Sequence, residues 1–182
     1  MKTIIIDYKK GIEIREKFLL WLLGVVIPVH ARFYGGRKPW GLSASDLLGY
    51  PAGTLGNELG RFLKAEHLEP VDRVERHDAF HILLDFTTRV PDEAAMQFFL
   101  LGNGKVSPFT LGTALFSAAI LPEHTRNFYL QFQRGRSFRS IARWDFKKLL
   151  PENFQDLKRY IFRTELKDSS LEKRLLAGEF DL

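Results

Sequence analysis

The sequence predicts a mainly α fold, a single domain built as a multi-helix bundle. Three features lead there. At least six segments repeat apolar residues at helical spacing, and an alternating strand pattern is almost missing. Proline, glycine and Ser/Thr cap signals punctuate the chain between those segments. The 182 residues, 45% hydrophobic and 27% charged, suffice for one sizeable core. The helical domain is expected over residues 1–163, with a polar C-terminal tail over 164–182. Helices packed on helices are then the architecture.

In chain order, Thr3 to Ile6 is strand-like, and helical spacing begins near Ile12 and runs to about Val26. The apolar run Phe18 to Val29 is shorter than the ~20 residues of an ordinary membrane-spanning helix. It also lies behind the charged stretch Lys9 to Lys17, unlike a secretory signal, and reads as a core helix ending before Pro28. His30 to Gly41 is a loop rich in Gly and Arg. Ser43 caps a short helix with Asp46 in the box position, and Thr54 caps the next, Leu55 to His67. Pro70 opens a central helix, roughly Val71 to Phe86. Pro91 opens another, with Asp92 and Glu93 in its first turn, where carboxylates suit the helix dipole. Ser107-Pro108 starts an apolar helix through Leu121, read as buried and able to pair with a second copy of the chain as a homodimer. Pro122-Glu123 begins a long helix to about Arg143; Trp144 to Leu150 and Pro151 to Phe162 complete the bundle.

The chain has no Cys, which excludes disulfides, thiolate ligands and cysteine nucleophiles. Any metal must therefore sit on His nitrogen or carboxylate oxygen. The net charge of +5 reads as a mildly basic solvated surface, because no block of like charges stands out. Arg136, Arg139 and Arg143, with Arg134 near, fall at helical spacing, a stripe that could meet lipid phosphates. No nucleic-acid motif accompanies the charge, so nucleic acid is not an expected partner.

The chemistry concentrates in His77-Asp78-Ala79-Phe80-His81. At about 100° per residue, the two His lie about 40° apart around a helix, with Asp78 about 60° beyond His81. Asp85, a turn further on, would point the same way and support the site from outside. Two imidazoles one turn apart can lean on one cation. A tight turn through Thr87 to Val90 would bring Glu93 back as an oxygen ligand. Two His with one or two carboxylates suit one divalent ion, Zn²⁺, Fe²⁺ or Mn²⁺. The zinc-peptidase pattern HExxH shares the His spacing, but Asp78 stands where its catalytic Glu would be, so a metallohydrolase is a distant alternative. His30, His67 and His124 have no partner at ligand spacing.

These residues resemble the signature of the coenzyme Q (ubiquinone) biosynthesis family called COQ four: HDxxH, eleven residues, then Glu. Here His77-Asp78-Ala79-Phe80-His81 is followed by Ile82 to Asp92 and then Glu93. Tyr50-Pro51-Ala52-Gly53-Thr54-Leu55-Gly56 resembles the family's YPxGTLG segment. Arg76, Thr88, Ala94, Gly135-Arg136, Trp144 and Leu149-Leu150 also fit, and the likeness spans roughly Leu47 to Ile161. Two positions depart, Asp85 and Asp92, where the family commonly has Gly.

The resemblance implies a mainly helical fold and a metal held by His77, Asp78, His81 and Glu93. It implies chemistry at ring carbon 1 of a polyprenyl-4-hydroxybenzoate-type intermediate: removal of the carboxylate, a lyase reaction, or its oxidative replacement by hydroxyl. It implies a prenylated aromatic or isoprenoid-lipid ligand, peripheral contact with the inner face of a membrane from the cytoplasm, and other quinone-biosynthesis proteins as partners. Phe80, Phe98, Phe99, Leu100 and Phe116 are candidates for the wall of an isoprenoid channel. The alternative is a non-catalytic, lipid-binding scaffold that uses the metal structurally.

Overall fold

Local signals set most helix starts in the computed structural model, which describes residues 14, 15, 17, 18, 38–164 and 169–182. Ser43 and Asp46 form a reciprocal capping box at the head of α1, Ala44–Leu48. The Thr54 hydroxyl accepts from Asn57 N–H and starts α2, Leu55–Ala65. Helix α3, Glu75–Leu84, has no side-chain cap, and the buried Glu75 carboxylate instead holds Trp40 N–H at 2.8 Å. Pro91 lies in the first turn of α4, Val90–Gly102, and Pro108 in that of α5, Pro108–Ile120. A 3₁₀ turn, Pro122–His124, leads into α6, Thr125–Ser137. The short α7, Phe146–Leu149, then α8, Phe154–Ile161, and α9, Ser169–Leu176, follow. Among the described residues there is no strand beyond two isolated bridges, so the mainly α, multi-helix fold is as expected.

The core runs through α1–α4, α6 and α8, with Leu47, Leu55, Leu59, Leu83, Met96, Phe99 and Leu157 all but inaccessible. Burying one such side chain stabilises by about 1.5–3 kcal/mol. Helices α4 and α6 approach most closely because each contributes a glycine. A Cβ at Gly102 would run into the Phe132 carbonyl, and one at Gly135 into the Phe99 carbonyl. That crossing anchors the helix that carries Glu93.

Several boundaries differ from expectation. The central helix begins at Glu75 rather than Val71, because Arg73 is left-handed, with φ of 70°, behind a turn closed by Val74 N–H on the Val71 carbonyl. Helix α6 ends at Ser137 rather than near Arg143. The Asn103 amide takes the Gly135 and Arg139 carbonyls, and Arg139 N–H turns to Ile161. The expected arginine stripe is therefore not formed on one helix. Arg139 lies on the Tyr160 ring and pairs with Glu172, while Arg134 projects among Phe86, Phe99, Phe138 and Phe162.

The sequence predicts a polar tail over 164–182. Instead Leu171, Leu175 and Phe180 join the core, and Asp145 N–H and Leu182 N–H bond across to Phe180 and Arg143 carbonyls. Helix α5, read as buried, turns its small and polar side inward through Thr110, Ala114 and Ser117. Leu111, Leu115 and Phe116 are 46%, 63% and 38% exposed. The strand-like Thr3 to Ile6 and the apolar segment from Leu19 to Val29 lie outside the described residues.

Candidate metal centre

Helix α3 places His77 and His81 one turn apart, and the α3–α4 hairpin returns Glu93 to them. Asp85 ends α3 in the left-handed region, with φ of 61°. Its N–H and that of Phe86 both reach the His81 carbonyl. The same turn aims the His81 ring: Nδ1 lies 3.2 Å from the Phe86 carbonyl, so Nδ1–H donates there and Nε2 faces the site. Phe62 stacks on the ring from α2, with centroids 5.7 Å apart.

Glu93 occupies the first turn of α4, where the helix dipole favours its charge. Its Oε1 lies 3.0 Å from His81 Nε2 and its Oε2 3.2 Å from His77 Nε2. The two Nε2 atoms are 3.3 Å apart. Donors bound at ~2.0–2.1 Å to one tetrahedral ion lie about 3.3 Å from each other. The two nitrogens and the nearer carboxylate oxygen of each pair stand close to such an edge length, and one donor atom from each of the three residues lies within 4.8 Å of the others. His77, His81 and Glu93 thus fit a single divalent cation, and the donor set of two imidazoles and one carboxylate suits Zn²⁺ and the neighbouring first-row ions.

The electrostatics follow from this crowding. Burial opposes charge on Glu93, but hydrogen bonds from His77 and His81, and their charge, outweigh it and hold the carboxyl down to about 2. Burial works against a charged His81, yet its hydrogen bond to Glu93 and that carboxylate's charge raise its pKa. Asp78 goes the other way. Burial pushes its carboxyl up to about 6, against the pull of His77 and His81 and with the help of Glu93 and Glu75.

The remaining expected residues are placed as follows. Asp78 feels the cluster but is not among the donor atoms gathered within 4.8 Å, which belong to His77, His81 and Glu93. Asp85 does not continue the stripe. Helix α3 ends before it, and its exposed carboxylate pairs with Lys158. Asp92 accepts from the Thr87 hydroxyl and ties the hairpin loop. Phe80 packs on Phe146, Phe98 on Phe128, and Phe99 on Phe86 and Phe138. Leu100 is core, and Phe116 lies on the outer face of α5 beside Phe18. Gln97, which no spacing in the sequence marks, is buried one turn along α4 from Glu93.

Fold and site together define a mainly helical protein with a two-His, one-carboxylate cluster. No family model matches the chain, nor does any curated protein. Among solved structures, it is similar to a crystal structure from Nostoc punctiforme that carries a provisional designation as a ubiquinone biosynthesis protein. The two share 20% identity over 83% of this chain and 82% of that one, with a TM-score of 0.54. At that identity the likeness establishes a shared helical fold.

Proposed function

We propose that this chain is a metal-dependent enzyme of ubiquinone biosynthesis, acting at ring carbon 1 of a polyprenyl-4-hydroxybenzoate-type intermediate. The observation that carries the reading is the spacing of His77, His81 and Glu93, close to that of ligands about one ion. The designation of the Nostoc punctiforme protein supports the pathway. A bound divalent ion would supply a Lewis acid that holds the ring's carboxylate or phenol oxygen. His81, aimed by the Phe86 carbonyl, and Glu93, anchored at the head of α4, keep the donors in place. Asp78 is the fourth residue of the site and its second carboxylate, its charge favoured once a cation is near. Loss of the substrate carboxylate breaks the bond from ring carbon 1, leaves the electron pair on the ring and requires one proton there. Without an ion Asp78 carries a proton below about pH 6; with one bound its carboxylate is ionised, and the ring takes its proton from water. The oxidative form takes dioxygen and water as co-reactants: water supplies the hydroxyl that replaces the carboxylate, carbon dioxide leaves, and dioxygen accepts the two electrons and two protons as hydrogen peroxide.

In this reading the isoprenoid tail runs over Leu111, Leu115 and Phe116, an apolar surface that a soluble helix ordinarily buries. That face also favours a second reading, a scaffold that binds isoprenoid lipid at a membrane surface or another quinone-biosynthesis protein and uses its ion structurally. No helix among the described residues is long and apolar enough to cross a membrane. The test is metal content and carbon dioxide release from a short-chain prenyl-4-hydroxybenzoate, for the parent and for His77→Ala/His81→Ala. One ion per chain and turnover, both lost in the double variant, is the expected result. A tightly held ion with no turnover selects the scaffold, and a parent that takes up none of zinc, iron or manganese defeats both.

A further inference from the structure

Gln97 stands on α4 one turn beyond Glu93. Its direction is fixed by its neighbours. Phe98 stacks on Phe128, Gly102 abuts Phe132 and Phe99 abuts Gly135, so those positions face α6. At about 100° per residue, Gln97 lies about 40° from Glu93 and away from that contact. It shares the Glu93 side of the helix, the side that returns to α3. The residue is 5% exposed, yet its Oε1 accepts no hydrogen bond. Leaving a buried amide oxygen unmatched costs more than an ordinary hydrogen bond gains. Asn103, a second buried amide on the same helix end, shows the usual outcome. Its oxygen takes Ile141 N–H, and its nitrogen serves the Gly135 and Arg139 carbonyls.

We infer that Gln97 Oε1 accepts a hydrogen bond from a hydroxyl of the ligand gathered at His77, His81 and Glu93, and thereby selects hydroxylated aromatic ligands. The proposal deepens the metal-centre reading and rests on it for the identity of the ligand. Glu93 and Gln97 have side chains of equal length set about one helical turn, ~5.4–6 Å, apart along the axis. That is close to the span between para substituents of a benzene ring. An aromatic acid whose carboxylate lies at the cluster therefore presents its para hydroxyl to Gln97.

The experiment compares the full-length parent with Gln97→Met, which keeps the bulk of the side chain and removes the acceptor. Two probes are titrated calorimetrically into zinc-loaded protein: 3-geranyl-4-hydroxybenzoate and 3-geranylbenzoate, which lacks the hydroxyl. The parent should bind the hydroxylated probe about tenfold more tightly, the worth of one hydrogen bond. Gln97→Met should bind both alike while keeping the parent's zinc stoichiometry. Its Tm without ligand should equal or exceed the parent's, because an unmatched buried oxygen has gone. Gln97→Glu, which retains an acceptor, should keep the preference and serves if the Met variant does not fold. Equal binding of the two probes by the parent, or an unchanged preference in Gln97→Met, overturns the assignment. If the parent takes up none of zinc, iron or manganese, the metal-centre reading fails by itself, and the probe ratio on the metal-free chain still decides Gln97.

Discussion

Replacing Asp78 by Asn should stabilise the metal-free protein at neutral pH, although it deletes a charge beside two histidines. The carboxyl has been moved from an ordinary value of 3.8 to about 6, chiefly by burial. At 1.36 kcal/mol per pH unit, its ionised form is disfavoured in the fold by about 3 kcal/mol. Between pH 3.8 and about 6 the native state holds a proton that the unfolded chain releases, so the cost grows across that window and is fully present above it. The Asn side chain is nearly isosteric and carries no charge. Unfolding by urea in chelator, followed from pH 4 to pH 8, should therefore show little difference at the acid end. It should show Asp78→Asn ahead by up to about 3 kcal/mol at pH 7. The same variant should bind zinc more weakly, because the second carboxylate of the site is gone. Were Asp78→Asn less stable than the parent at pH 7 without metal, the carboxylate would be holding the fold together rather than waiting for a cation.

Zinc affinity should fall as pH drops from somewhat above 6.5, because the raised pKa of His81 means a proton must leave before its Nε2 can donate to an ion; chelator competition at several pH values measures this, and a flat profile counts against the site. Gly135→Ala should cost about 3 kcal/mol or more, read as a drop in Tm, since the new Cβ meets the Phe99 backbone rather than a movable side chain. Gly112→Ala, on α5 with nothing within 4 Å, should instead gain ~0.5–1 kcal/mol from helix propensity, so that equal Tm changes in the two variants would refute the packing argument. Asp85→Gly should change stability by no more than about 1 kcal/mol and leave metal content untouched, because relief of the left-handed backbone offsets loss of an exposed pair with Lys158.

The fold was legible where local chemistry decides it. The caps at Ser43, Thr54 and Ser107 and the prolines at 91 and 108 mark helix starts that the structure keeps. Where a distant partner decides, the sequence was silent. The end of α6 depends on the Asn103 side chain, 32 residues before Gly135 and on another helix. The C-terminal stretch carries Leu171 and Leu175 at helical spacing, but its polar composition hid the core it completes. Helix α5 exposes the face its composition predicts to be buried, for a related reason. An apolar composition says that a surface wants cover, not that the molecule supplies it.

The site was legible because its spacing is local: one turn between the histidines, and a hairpin short enough to return Glu93. Its support was not. Asp85 lies in the left-handed region, which Gly enters most freely and Asp more readily than most. Asp85 therefore serves the backbone of the turn rather than a metal shell. That turn also carries the Phe86 carbonyl that aims His81. Around it, three ordinary rules of burial are broken on facing sides of α3 and α4. Two imidazole nitrogens confront one another at 3.3 Å, Asp78 is buried with its pKa raised, and Gln97 keeps an oxygen unmatched. Each alone has a structural explanation. Together, within about two helical turns, they are what a site looks like when the groups that satisfy it come from outside the chain.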